Sequence, residues 1–517
     1  MEAEYVIVGS GSGGSAVAFR LAEAGRSVIV VEHGGTDAGP LISMPGALSY
    51  PMNMVRYDWG YRTQPEPGLG GRRLAAPRGK VVGGSSSING MVWVRGHPLD
   101  YAAWEAAGAR GWGWRHVAPY FRRIESWDGP PDGSVRGREG PVRIRRAAPV
   151  DPLAAAFLQA GHEAGHAMTE DYNGRTQEGV CRLDATIHRG TRWSAARAYL
   201  RPALRLGARL VRGLVTGVVF DGRRASGVRL AGGRTIRARR EVILAASAFN
   251  TPKLLLLSGI GPGSDLQDLG LPVVADRPGV GQNLQDHLEV YVRVFAPGVG
   301  LFRHWNLWGK AVVGARWALT RAGPGASNQL EVGAFLRSGP GVAYPDVQFH
   351  FLPLAVRYDG RGARSGFQIH AGPMRSRARG HVRLAVPDPA MPPDIRFNYM
   401  AHEDDPAEFR ATIRLARRIL LQPAFAPFRG TPPLPEGSDA AIDAYVRDHA
   451  ESAYHPCGTA AMGDPDDPMA VTDPQGRVIG VEGLRVADSS AIPRITNGNL
   501  NAPSILIGEK VAAHILD

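Results

Sequence analysis

The first thirty-two residues restrict the possible folds more than any other stretch of the chain. Tyr5 to Val8 is a short apolar run, Gly9-Ser10-Gly11-Ser12-Gly13-Gly14 follows at once, and Ser15 to Ala24 carries apolar residues at helical spacing up to a stop at Gly25. A second apolar run, Val28 to Val31, ends on Glu32, close to the offset of about 20 residues at which a ribose-binding acid is expected. Strand, glycine turn, helix and second strand in this order describe a dinucleotide-binding βαβ unit. The glycines differ in what they allow. Gly9 makes the tight turn, Gly11 lets backbone approach a pyrophosphate, and Gly14 lets the helix pack closely on the strand. The free N–H groups of the helix start then face the phosphates, and Glu32 accepts from a ribose hydroxyl. The motif alone does not separate NAD from FAD.

At 517 residues the chain is several times the size of a common domain, so more than one core is expected. Hydrophobic residues at 44% and charged residues at 21% describe a chain that folds rather than a disordered or fibrous one. Its 66 glycines and 40 prolines argue for many loops and against a helical bundle. The two cysteines, Cys181 and Cys457, leave no disulfide framework, no CxxC pair and no cysteine-based zinc or iron–sulfur site, which suits a reducing cytoplasm. The net charge of +12 is carried almost wholly by arginine, because Lys80, Lys253, Lys310 and Lys510 are the only lysines. Clusters such as Arg143, Arg145, Arg146 and Arg375, Arg377, Arg379 are scattered and lack interleaved aromatics, so no nucleic-acid partner is expected. The N-terminus enters a strand at Tyr5 with no room for a signal peptide, and no run of about 18 apolar residues is free of charge. A transmembrane segment is not expected; peripheral contact with the inner face of the cell membrane, favoured by the basic balance, stays open.

Arg78 to Gly90 is a second glycine- and serine-rich loop, too rich in small polar residues for a core and suited to backbone contact with a flat ring or a diphosphate. Gly83, Gly84, Asn89 and Gly90 are its candidate contacts. Val211 to Arg229 alternates as a hairpin around Asp221-Gly222, with Val218 a further candidate beside the cofactor, and Glu241 to Ala246 reads as a buried strand. His162-Glu163-Ala164-Gly165-His166 matches the zinc motif HExxH, but Gly165 weakens the helix the ligands need and no third ligand motif accompanies it, so no metal is expected. Cys457 reads as a small packing residue rather than a nucleophile. His455, in a loop where Pro456 and Gly458 restrict the backbone, carries an imidazole suited to accepting a proton near neutral pH.

Five stretches together carry a family resemblance: the opening βαβ unit; Gly83 to Gly90; Pro278-Gly279-Val280-Gly281-Gln282-Asn283-Leu284-Gln285-Asp286-His287; Tyr454-His455-Pro456-Cys457-Gly458-Thr459; and Ala487-Asp488 through Gly498-Asn499-Leu500-Asn501. The chain resembles the glucose-methanol-choline (GMC) flavin oxidoreductases over nearly its whole length. Gly325-Ala326-Ser327-Asn328, Gln348 to Pro353 and Met374-Arg375-Ser376 resemble the choline-oxidising branch. The resemblance implies an α/β composite, a Rossmann-like FAD-binding domain interleaved with a substrate domain on a large antiparallel sheet. Residues 1–155, 191–297 and 451–517 would then form the FAD-binding parts, and 156–190 and 298–450 the substrate domain. Asp128 to Gly140 and Thr431 to Gly437 would serve as boundary loops. His455 would be the base and Asn499 its amide partner, with Asp488 and Asn501 against the cofactor, the helix after Asn501 aiming its positive end there.

For substrate, Trp59, Glu331 and Tyr454 resemble the aromatic and acidic residues that hold a quaternary ammonium. Ile88 stands where covalently flavinylated relatives have histidine, so the FAD is expected to be noncovalent. The implied reaction is oxidation of choline to betaine aldehyde, and on to glycine betaine through the hydrate, by proton abstraction and hydride transfer to flavin N5. A respiratory acceptor or oxygen would take the electrons. Another primary alcohol (aryl, polyol or longer-chain), a nicotinamide dehydrogenase and a non-catalytic flavin-binding protein are the alternatives at this point.

Overall fold

The computed structural model describes residues 1–130, 135–149 and 151–517. Residues 131–134 of the expected boundary loop Asp128 to Gly140 lie outside the described residues. Two sheets organise the chain. The first runs Val215–Asp221, Arg224–Leu230, Thr235–Leu244, Glu2–Val8, Val28–Glu32 and Arg209–Arg212, with Leu484–Val486 also pairing on Thr235–Leu244. Glu2–Val8 is parallel to both of its neighbours, and Leu484–Val486 is parallel to Thr235–Leu244, whereas Val215–Asp221 and Arg224–Leu230 form an antiparallel hairpin. Val6, Ile7, Ile29, Val30, Val242 and Ile243 are fully enclosed, because a parallel strand covered on both faces has no solvent side. Each such side chain contributes about 1.5–3 kcal/mol on burial.

The helix Ser12–Glu23 starts directly after Gly11 and lies along the C-terminal helix Asn501–Leu516. Their closeness depends on missing side chains: a Cβ on Gly508 would stand 2.4 Å from the Gly13 carbonyl, and one on Gly13 only 1.9 Å from the Ala487 carbonyl. The buried Glu509 carboxylate then ties the two helices together, accepting from Arg20 Nε at 2.9 Å and from the Tyr199 hydroxyl at 2.8 Å. A charge taken out of water in this way is tolerated only when paired and hydrogen-bonded.

The second sheet is antiparallel throughout, in the order Glu451–Ser452, Leu288–Phe295, Gly366–Pro373, Val347–Leu352, Val332–Leu336, Gly179–Arg182. Alternation divides its faces. Val290, Val292, Val294, Phe349, Phe351, Phe367 and Ile369 pack into one core with Phe157 of the helix Pro152–Glu163 and with Phe409 and Ile413 of the helix Asp405–Leu420. Glu289, Tyr291, Gln348, His350, Gln368 and His370 occupy the intervening positions and form a polar face. The strand Leu288–Phe295, placed by the sequence division inside the nucleotide part 191–297, belongs to this second sheet, and so does Glu451–Ser452. The chain therefore enters this sheet directly after His287 and leaves it at Ser452, three residues before His455.

Candidate active site

His455 sits on a loop, and three consecutive residues hold that loop in place. Gln285 exchanges two backbone hydrogen bonds with Cys457, each 3.0 Å. Asp286 accepts from the His455 backbone N–H at 2.7 Å and from the Tyr399 hydroxyl at 2.6 Å. His287 Nδ1 lies 3.0 Å from His455 Nδ1. The loop itself is bent through Tyr454 at φ 66° and Gly458 at φ 96°. The first is an unusual conformation for a bulky side chain, and a Cβ at Gly458 would meet the Asn283 carbonyl at 2.4 Å.

The chain of partners fixes the tautomers. His287 Nε2 is 3.0 Å from the Met374 carbonyl, which can only accept, so His287 carries its proton on Nε2. Its Nδ1 lone pair then accepts the Nδ1–H of His455, and the lone pair of His455 is left on Nε2. That atom stands 3.0 Å from Asn499 Nδ2. Gln348 Nε2 donates to Asn499 Oδ1 at 3.1 Å, which turns the Asn499 NH₂ group toward His455. An acceptor and a donor thus stand side by side, the arrangement a hydroxyl group needs if it is to give up its proton while its oxygen is held. Burial, followed by the neighbouring His287, His350 and Arg78, holds the His455 pKa well below the ordinary imidazole value. Burial likewise pushes His287 and His350 down to about 4, so all three imidazoles are neutral at pH 7.

A single cavity connects this pair to the glycine fingerprint, with about 1920 Å³ of space including its open mouth. Its lining runs unbroken from Gly9 and Glu32 to His455 and Asn499, a span that takes a dinucleotide at one end and a substrate at the other. It runs along the C-terminal ends of the parallel strands, where open α/β sheets bind their ligands. Gly9, Gly11 and Glu32 line it, as do Gly84, Ile88, Asn89, Gly90, Asp488 and Asn501. Gly11 is the open point of the cradle: a Cβ there would come no nearer than 4.0 Å to protein and would take up cavity space. Two helix starts adjoin this region, Ser12–Glu23 and Asn501–Leu516, and Ser12 Oγ donates to Asn501 Oδ1 at 2.7 Å across them. The residues present therefore fit a dinucleotide whose diphosphate takes free N–H groups and whose ribose faces Glu32.

Several expected site residues stand elsewhere. Gly14 and Gly83 shape the wall without lining it: a Cβ on Gly14 would lie 2.2 Å from the Gly9 carbonyl, and the Gly83 N–H donates to Ser10 Oγ at 3.2 Å. Val218 is outside the lining, its N–H bonded to Ser258 Oγ, and the cavity is lined instead by Gly213, Leu214 and Val215 where the chain enters the hairpin. Glu331 is also outside and accepts from Ser327 Oγ at 2.7 Å. Trp59 lines the cavity but stacks between His33 and Tyr61, beside Glu32, and so belongs to the nucleotide end rather than to a cage near His455. The Asp488 carboxylate lines the cavity while accepting from Ser247, Thr251 and Ser490.

The carboxylate that does face the catalytic end is Glu289, which the sequence reading missed. It lies on the polar face of the second sheet, 4% exposed, in the same cavity as His455 and Asn499. Its Oε1 stands 3.2 Å from His370 Nδ1, yet no aligned hydrogen bond reaches that oxygen. Tyr454 and Tyr358 line the cavity next to it, their ring centroids 5.3 Å apart. The available signal was alternation: Glu289 and Tyr291 stand two residues apart on one face of the strand Leu288–Phe295.

The HExxH match dissolves in three dimensions. The helix ends at Glu163 and Gly165 adopts φ 89°, so His162 and His166 do not share a helical face. Among the described residues no cluster of His, Cys, Asp or Glu could hold a metal ion. Cys457 is fully buried and its thiol pKa is raised by burial, away from nucleophile chemistry. Among the described residues no helix is long and apolar enough to cross a membrane.

A nucleotide cradle at one end of a cavity and a proton acceptor at the other define a dinucleotide-dependent oxidoreductase. The chain belongs to the GMC oxidoreductase family, matching its N-terminal part over residues 3–289 and its C-terminal part over 376–508. GMC oxidoreductases bind FAD, which removes the nicotinamide alternative for the glycine fingerprint. Over its full length the chain is 58% identical to the oxygen-dependent choline dehydrogenase of Brucella anthropi and 55% identical to that of Sinorhizobium fredii, covering 96% of each. Among solved structures it resembles pyridoxine 4-oxidase from Mesorbium loti, with 30% identity and a TM-score of 0.88, and Aspergillus oryzae formate oxidase, with 27% identity and a TM-score of 0.90. Each comparison covers 99% of this chain and 98% of the other.

Two neighbouring glycines should respond differently to alanine. Gly13→Ala places Cβ against the Ala487 carbonyl and should destabilise the fold by about 1–3 kcal/mol. Gly11→Ala should keep the wild-type melting temperature of the flavin-free protein but lose FAD. Thermal melts and the flavin-to-protein absorbance ratio check both, and full FAD retention in Gly11→Ala would remove Gly11 from the cradle.

Proposed function

We propose that the protein is an FAD-dependent choline dehydrogenase that oxidises choline to betaine aldehyde. The observation that carries this reading is Glu289, a buried carboxylate with one oxygen free of hydrogen bonds, in one cavity with the His455–Asn499 pair. A quaternary ammonium has no N–H to donate. It is held by charge and by aromatic faces, here Glu289 with Tyr358 and Tyr454. The names of the full-length relatives in Brucella anthropi and Sinorhizobium fredii support the same substrate, and make oxygen the favoured electron acceptor.

In this mechanism the trimethylammonium end of choline rests against Glu289 and the hydroxyl reaches His455. The oxygen accepts from Asn499 Nδ2 and the O–H donates to His455 Nε2, the nitrogen left free by the His287–Met374 lock. As the proton moves to Nε2, negative charge develops on the substrate oxygen and is met by the Asn499 N–H, which weakens the α C–H bond. Bound FAD supplies the hydride acceptor. The imidazolium so formed keeps its Nδ1–H on His287. The hydrate of the aldehyde offers the same O–H and C–H to the same pair, so the protein carries betaine aldehyde on to glycine betaine. Ile88 on the cavity wall offers no nucleophile, and the FAD is held noncovalently.

Choline added anaerobically should bleach the flavin, and oxygen should restore it. His455→Ala should stay yellow and slow the bleaching on the order of 10²–10⁴-fold, the usual contribution of a positioned base. Bleaching at the wild-type rate would take the base role from His455, and wild-type protein that bleaches with benzyl alcohol but not choline would overturn the substrate.

Glu289→Gln should raise KM for choline by about 10- to 100-fold, a loss of roughly 1.4–2.8 kcal/mol. It should leave turnover of 3,3-dimethylbutan-1-ol, the uncharged isostere, within a few-fold. Equal losses on both alcohols would remove Glu289 from cation recognition. Acid precipitation should release all the flavin into the supernatant, whereas flavin retained in the pellet would show a covalent link.

A further inference from the structure

Arg192 is a buried cation with no anion beside it. It closes the short strand Thr191–Arg192, is 1% exposed, and donates only to amide oxygens. Nε donates to the Ile42 carbonyl at 3.0 Å, and Nη1 to the Asn89 carbonyl at 2.6 Å, to Asn89 Oδ1 at 2.9 Å and to the Ser86 carbonyl at 3.4 Å. Nη2 has no partner. Arg95 and Arg136, enclosed to the same degree, are each matched by Glu125. Among the described residues no carboxylate pairs with Arg192, and burial alone acts on it, pulling its pKa down to about 9, so it stays charged at pH 7. A cation held out of water in this way is costly unless an anion arrives to face it.

Its place in the fold identifies that anion. The second glycine loop starts at the fingerprint, where a Cβ on Gly84 would stand 2.8 Å from Gly11 Cα, and ends at the second sheet, where one on Gly90 would stand 3.4 Å from Leu330, two residues before the strand Val332–Leu336. Arg192 lies behind the sheet end of this loop, and Ser86, Asn89 and Gly90 line the cavity in front of it. Arg192 also orients an amide. Asn89 Oδ1 accepts from Arg192 and from the Met91 N–H at 3.1 Å, which turns the Asn89 NH₂ group toward the cavity that the residue lines. We infer that Arg192 tunes the bound FAD. Its charge, acting across the loop at low dielectric, and the Asn89 N–H groups it aims both favour the negative charge that a hydride brings, and so make the flavin easier to reduce. Arg192 is a positioning residue, because Asn89 stands between it and the cavity.

The test is the redox equilibrium of the FAD-loaded protein against a reference dye, read from the two absorption spectra. In Arg192→Met the ratio of reduced to oxidised flavin at a fixed dye potential should fall at least tenfold, about 30 mV for a two-electron couple. Arg192→Lys keeps a charge but not the planar fork, and should stay within about threefold of wild type at mildly acid pH, where a buried lysine still holds its proton. A ratio unchanged in Arg192→Met, or lowered equally in both variants, would overturn the inference. If Arg192→Met no longer holds FAD, Arg192→Lys decides alone. FAD retained at the wild-type ratio then upholds the role of the charge, and any other result leaves Arg192 only the task of holding the loop and overturns it.

Discussion

The placing of the His455 imidazole depends on the seam between Gln285–His287 and His455–Cys457. The loop that carries His455 has no regular structure to stiffen it, and it includes a tyrosine in the left-handed region. What fixes it is backbone pairing at Gln285, a carboxylate at Asp286 that takes the His455 N–H, and the imidazole contact at His287. A typical hydrogen bond contributes about 0.5–1.5 kcal/mol, so no single one of these holds the loop against its strain and the set must act together. The strand Leu288–Phe295 begins immediately after the seam, which puts the loop's anchor and Glu289 on one continuous piece of backbone. The spacing between proton acceptor and cation seat is thereby set by a strand within a six-stranded sheet rather than by loop packing.

The same burial that makes the seam rigid sets its electrostatics. Three imidazoles crowd the catalytic end, and desolvation lowers the pKa of each. Protonated, they would repel a cationic substrate. Neutral, they leave Glu289 as the charge on the sheet face that meets it. The same lowering keeps the His455 lone pair available, and in the proposed mechanism the proton it would accept shares the low-dielectric site with the Glu289 carboxylate.

Much of this was legible in the sequence, and the misses have physical causes. The glycine fingerprint, the second glycine loop and the His455 and Asn499 segments announce themselves because each depends on local backbone conformation or a fixed residue order. Glu289 does not, because a glutamate in an apolar strand is informative only once the face it occupies is known to border a cavity. Glu331, the carboxylate favoured from sequence, stands one residue after the cavity-lining Leu330 and outside the lining itself. Val218 fails for a related reason: the hairpin was readable, but only its entry, Gly213 to Val215, borders the cavity. Of the domain boundaries, the one after residue 450 stands within two residues of the crossing at Ser452, whereas the one after residue 297 misses the crossing at His287 by a whole strand, because Leu288–Phe295 pairs with the second sheet.

That crossing pattern explains how the two ends of the chain hold one site. Asn499 precedes by two residues the helix Asn501–Leu516, which packs on Ser12–Glu23 through Gly13 and Gly508 and through Glu509 with Arg20. Ser12 and Asn501 join side chains where both helices begin. The helix that starts at the glycine fingerprint is thus locked to the helix whose start positions the Asn499 amide. With no Cβ at Gly13 or Gly508 the backbones cannot be prised apart without losing contact, so cofactor cradle and substrate oxygen share one reference frame. A chain that assembles its site from segments nearly five hundred residues apart needs such a frame, because reacting groups displaced by even about 1 Å can lose on the order of a hundredfold in rate.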